Sequence, residues 1–166
     1  MDSSKGKHYL VVGDQAVNPI VSGGGSGHVD PGYVLPPLWA ICDELGVRRI
    51  DNHSIMALNR RGKNGNRLTY VHAKHFDLLL DVVGSFKFDV KLLFLGSTST
   101  EGGDRDTLDW TKHEKKLIDK VAGLKHGKFV VHMTTPGAMP VSYTHLRAHE
   151  TGRNLVCRLL LEKKNN

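Results

Sequence analysis

The side chains best suited to chemistry lie in LLFLGSTSTEGGDRDTLDW, residues 92–110, where an apolar run breaks abruptly into a polar loop. Glu101 is flanked by Gly102 and Gly103, which leave its carboxyl group without steric cover, and Asp104-Arg105 can fix a loop through charge-assisted bonds. A carboxyl group so presented is of the type that gives or takes a proton. Residue types alone leave a solvated loop without function as the simpler account.

A second loop, VSGGGSGHV at residues 21–29, invites a phosphate-binding reading because glycine lets backbone N–H groups approach an anion. Its spacing argues against that. No Gly-Lys-Ser/Thr ending follows, the glycines begin well after the preceding strand, and the next helix does not start on the last glycine. Two readings stay open: a glycine loop with no ligand, or one bordering a pocket shared with a neighbouring domain, with Ser26 and His28 as polar contacts.

The elements that must position these loops alternate strand and helix. Residues 8–13 read as a first strand, and 35–45 as a helix with Pro36 and Pro37 near its first turn and Gly46 as its stop. Residues 68–72 form a short strand and 73–83 a helix carrying Phe76, Leu79, Leu80 and Val83. The run at 89–96 is a buried central strand. Thr111 and Glu114 make a capping box for a helix bearing Leu117, Ile118, Val121 and Leu124, and 128–133 is a fourth strand. The expectation is an α/β fold, a mostly parallel sheet flanked by helices, truncated after its fourth strand. The Glu101 loop then leaves the carboxyl end of a strand, where open α/β sheets place their sites. Residues 48–67, rich in Arg, Asn and Gly, read as an irregular surface excursion.

Residues 141–166 change how the composition is weighed. VSYTHLRAHET and NLVCRLLLEKK read, residue by residue, like the translation of a transposase-type sequencing adapter, with Gly152-Arg153 at the index position. The expected organisation is one domain over residues 1–140 and a non-native tail over 141–166, disordered or a stray amphipathic helix. The tail carries five basic residues (Arg147, Arg153, Arg158, Lys163, Lys164) and two acidic ones (Glu150, Glu162), so without it the formal charge falls from +6 to +3. No basic stripe with interleaved aromatics then argues for nucleic acid. No stretch reaches the ~18 apolar residues of a membrane span. The segment MDSSKGKHYL lacks the apolar core of a secretory signal, so a secreted parent would carry its signal outside this fragment. The compartment is left open.

Cys42 is the one cysteine outside the tail and reads as a small core residue. Trp39 falls on the apolar face of its helix and reads as core, whereas Trp110 suits packing and sugar stacking equally. His72 and His75 lack further ligands at useful spacing, so no metal and no cofactor are expected. Asn52-His53-Ser54 is a formal glycosylation acceptor.

The order VVGDQAVNPIVSGGGSGHV, PPLWAI, LLFLGSTSTEGGDRDTLDW, KFVVHMTTPGAMP resembles the carboxyl-terminal α/β sandwich domain of glycoside hydrolase family 3, the β-glucosidases and related exo-acting glycosidases. The likeness covers nearly all of residues 9–139 and weakens between 47 and 91. In that family a barrel domain supplies the aspartate nucleophile, and the sandwich domain often supplies the acid/base from a Glu-Gly-x-Asp-Arg setting. The resemblance implies Glu101 as general acid/base, Asp104 and Arg105 as its loop scaffold on the substrate side, and Ser26 and His28 at the border of the sugar pocket. It also implies two partners: a β-linked glucoside or oligosaccharide, and an amino-terminal barrel of the same chain. The competing expectation is a stand-alone flavodoxin-like module that binds a ligand or partner without catalysis.

Overall fold

A computed structural model describes residues 6–49, 56–98, 109–135, 147–150 and 156–161 of the chain. Strands β1 (His8–Val12), β2 (Ala57–Arg61), β3 (Arg67–Val71), β4 (Val90–Gly96), β5 (Lys128–Thr134), β6 (Arg147–Glu150) and β7 (Val156–Leu161) form one sheet in the order β2-β3-β1-β4-β5-β7-β6. The pairs β3–β1, β1–β4 and β4–β5 are parallel, and β2 joins the β3 edge antiparallel. Over residues 6–135 this is the expected mostly parallel sheet, with helices α1 (Pro37–Leu45), α2 (Phe76–Gly84) and α3 (Lys112–Gly123).

Both faces of the central strands are buried, which explains their unbroken apolar runs. Leu10, Val12, Leu93, Leu95, Val131 and Met133 pack under Phe76 and Val83 of α2 and Leu117 and Val121 of α3. Val11, Leu68, Tyr70 and Phe94 face the other way, against Leu38, Cys42 and Leu45 of α1. The result is a three-layer α/β sandwich.

Local signals account for the helix ends. Pro37 opens α1, and the N–H of Gly46 closes it onto the carbonyls of Cys42 and Asp43. At α3 the expected capping box is complete: the Glu114 N–H donates to the Thr111 hydroxyl at 3.2 Å, and the Glu114 carboxylate accepts the Thr111 N–H at 2.8 Å. Lys91, buried in β4, turns its Nζ to the Leu124 carbonyl at 2.7 Å and to the Ala122 carbonyl, placing a cation where the negative end of α3 lies. Cys42 is buried, and burial pushes its thiol pKa up.

Three expectations need correction. Within 48–67, read as irregular, β2 and β3 form a hairpin around Asn64 (φ 55°) and Gly65 (φ 75°). Asn-Gly is a strong hairpin signal, but β2 buries only Leu58 and is otherwise polar apart from exposed Ala57, as an edge strand exposed on one side is. The tail, expected as disorder or a helix, has strands at 147–150 and 156–161, with β7 antiparallel to β5 and β6 to β7. The sheet therefore continues beyond its fourth parallel strand: the open edge of β5 offers unpaired backbone groups, and a short apolar run satisfies them as readily in a strand as its own groups in a helix. Trp39, expected in the core, is only half-buried.

Candidate functional site at the carboxyl edge of the sheet

The chain leaves adjacent strands β1 and β4 in opposite directions, toward α1 on one face and α3 on the other. That divergence makes the space outside their carboxyl ends the topological switch point, where open sheets form a crevice. Its floor is tightly built. Gly13, at φ 114°, lies so close to β4 that a Cβ there would stand 2.1 Å from the Phe94 carbonyl oxygen. Gly96 ends β4 directly against the Gln15 side chain, whose Oε1 accepts the Ile20 N–H at 2.8 Å. Only residues without a side chain let the two strand ends approach this closely.

Glu101, Asp104 and Arg105 lie outside the described residues. The segments on either side of them are well anchored. Upstream, the Ser97 N–H donates to the Thr134 carbonyl at 3.0 Å, extending the β4–β5 ladder past Gly96. Downstream, Trp110 is 7% exposed and belongs to the α2–α3 core, so packing decides the question its sequence position left open. Asp109 accepts the Trp110 N–H at 2.9 Å and pairs with Lys115. The Lys115 ammonium, then the Trp110 N–H, holds the Asp109 carboxyl below its ordinary pKa.

Ser26 and His28 sit on the connection from β1 to α1. Ser26 is exposed within the 3-10 turn Gly25–Gly27, and the His28 N–H closes that turn onto the Gly25 carbonyl at 3.1 Å. The His28 ring Nδ1 lies 3.2 Å from the Ser22 hydroxyl, so the loop has an internal bond as well as glycines. The same connection exposes Val21, Val29, Tyr33 and Leu35. Exposed Met56 accepts the His72 N–H at 2.9 Å and so also stands at the carboxyl end of β3.

Sequence reasoning missed a polar group at this edge. Asp14, directly after Gly13, acts electrostatically on both Tyr70 and His72. Burial, reinforced by Asp14, pushes the Tyr70 phenol above its ordinary range, and its hydroxyl has no hydrogen-bond partner among the described residues. Burial lowers the His72 pKa; Asp14 opposes that shift, while His75 and Lys74 add to it. The His72 Nδ1 accepts the Lys74 N–H at 3.2 Å, and the His72 and His75 rings meet edge to face at 5.9 Å. A charged residue directly after a strand-ending glycine was the available signal for Asp14; nothing local pointed to Tyr70.

Compared with known families, residues 1–150 match the glycosyl hydrolase family 3 C-terminal domain. The chain belongs to that family. No curated protein matches it. Membership associates this family 3 domain with glycoside hydrolysis and does not favour the reading as a stand-alone flavodoxin-like module.

Proposed function

We propose that this family 3 domain is the acid/base-bearing part of a retaining, exo-acting β-glycosidase of β-glucosidase type. Glu101 is its general acid/base, and Asp104 and Arg105 hold the loop on the substrate side. Ser26 and His28 border the sugar pocket, and an amino-terminal barrel of the parent chain brings the nucleophile. The observation that carries this reading is the place of Glu101-Gly102-Gly103-Asp104-Arg105 in the sequence, between the anchored end of β4 and the anchored start of α3, in a family 3 domain. The exposed apolar side chains of the β1–α1 connection and Met56 suit a surface covered by a further domain. Residues 1–140 are the domain on this reading, and 141–166 an adapter-derived tail.

The chemistry divides between the domains. The nucleophile's carboxylate attacks the anomeric carbon as the bond to the leaving oxygen breaks, and Glu101 delivers its proton to that oxygen. Glu101 then takes a proton from water as the water oxygen displaces the enzyme carboxylate, so atoms and charge balance over one hydrolysis. Two such groups stand about 5 Å apart in retaining enzymes.

The test uses the parent enzyme with its barrel. Glu101→Gln should depress hydrolysis of an alkyl β-glucoside far more than that of a nitrophenyl β-glucoside, because a good leaving group departs without protonation. Equal losses on both substrates would remove Glu101 from the role. The chain as it stands should release no glucose from either substrate; release abolished by Glu101→Gln would refute the division of labour.

A further inference from the structure

At the opposite, amino end of the strands, a row of basic side chains has no place in the glycosidase reading. The hairpin register sets Arg61 of β2 directly opposite Arg67 of β3, and the parallel register sets His8 of β1 against Arg67 on its other side. Directly paired residues project from the same face, so these three side chains form a row across three strands. Like charges placed directly opposite repel, a cost that sheets ordinarily avoid or neutralise.

No ion pair among the described residues neutralises Arg61 or Arg67; the carboxylate that acts on the row is Asp89, at His8. The ion pairs are Arg49 with Asp43, Lys115 with Asp109, and Lys120 with Asp77, and none involves Arg61 or Arg67. Asp89, which faces His8, spends Oδ2 on the His8 N–H at 2.7 Å. Arg67 Nε is buried with no hydrogen-bond partner among the described residues, although guanidinium N–H groups are strong donors. The His8 Nε2 is 2.8 Å from the Thr69 hydroxyl. Burial, then the Arg67 charge, lowers the His8 pKa against the opposing Lys87 backbone hydrogen bond and Asp89 charge, which favours a neutral ring beside Arg67. Arg61 is exposed, which leaves the row open to solvent on the β2 side.

We propose that Arg61 and Arg67 form a binding site for a doubly charged tetrahedral oxyanion, a phosphate or sulfate group, free or esterified, at the amino edge of the sheet. Two guanidinium forks with no ion-paired carboxylate among the described residues match the charge of such a group, and its several acceptor oxygens can engage the terminal N–H groups of both forks. The strands separate this site from the carboxyl-edge crevice by roughly 15 Å, so it stands or falls independently of the glycosidase reading.

The experiment is an NMR titration of the whole chain with inorganic phosphate and sulfate, matched in ionic strength with chloride, and in a second arm with a sulfated oligosaccharide. Binding should displace the Arg67 Nε–H resonance and raise the His8 ring pKa, because an adjacent anion favours the imidazolium. Arg61→Gln, a change at an exposed position, should weaken binding about tenfold or more, and Arg67→Gln should do the same. Tighter binding of the oligosaccharide than of the free ions identifies an ester as the ligand, and equal binding identifies the free ion. Equal affinity in Arg61→Gln and the unsubstituted chain, or no anion-specific response at Arg67 and His8, overturns the proposal.

Discussion

The two ends of the parallel strands are built on different plans. At the amino edge two returns are short: residues 85–89 link α2 to β4, and 124–127 link α3 to β5. Asp89 ties them to the sheet, its N–H donating to the His8 carbonyl at 2.8 Å and its carbonyl accepting the Lys128 N–H at 2.9 Å. At the carboxyl edge the chain runs from 13 to 36 before α1 and from 97 to 111 before α3. Connections several-fold longer cost only about 1–2 kcal/mol in closure entropy, a small charge for surface that can carry function. The short returns close the domain at one edge, and at the other the two long connections start and end on anchored residues.

The largest effects should come from positive-φ glycines packed against backbone at each edge. Gly13→Ala at the carboxyl edge and Gly127→Ala at the amino edge, where a Cβ would stand 2.3 Å from the Phe88 carbonyl oxygen, should each cost about 3 kcal/mol or more. Gly84→Ala, with nothing within 4 Å of its Cβ, should instead stabilise by about 0.5 kcal/mol. Urea unfolding midpoints decide this, and a Gly13→Ala chain as stable as the parent would break the argument for the crevice floor.

Acid should separate the edges next. His8 and His72 have folded pKa values below the ordinary 6.5, so each binds its proton more readily unfolded. Their contribution is therefore intact above about pH 6.5 and is lost as pH falls from there through the lowered folded values. His8, the more buried, should dominate: His8→Gln should flatten the stability profile below pH 6.5 more than His72→Gln does. A steeper response from His72→Gln would reverse the assignment. The smallest effect belongs to the loop anchor. Asp109→Asn, at an exposed pair, should leave the unfolding midpoint unchanged while speeding hydrogen exchange at the Trp110 amide, and unaltered exchange would remove Asp109 as an anchor.

How far these features could be read in advance follows from the range over which each is encoded. The helices and the four parallel strands were legible because burial imposes a local period, as in Phe76, Leu79, Leu80 and Val83 of α2, and because caps such as Thr111–Glu114 lie within one turn. β2 was not, since its one buried residue, Leu58, gives no period, and the turn that pairs it with β3 is a two-residue signal in a polar stretch. Trp39 and Trp110 reversed their expected emphasis for a related reason: the depth of a large side chain depends on what the neighbouring layer places over it. At the carboxyl edge, the glycine loop and the end of β4 at Gly96 were evident from residue types, whereas the grouping of Asp14 with Tyr70 and His72 joins strands distant in the chain.

The sequence by itself determined the alternation of strand and helix, the α/β class, and the departure of the Glu101 segment from the carboxyl end of a buried strand. These depend on side-chain period and on caps that act within a few residues. Tertiary structure alone decided that β1 lies between β3 and β4 and so opens the crevice, that the edges of β3 and β5 are extended antiparallel, and that Arg61 faces Arg67 across a strand pair. Strand neighbours are chosen by long-range hydrogen bonding and by burial on both faces, and neither leaves a mark in any one stretch of residues.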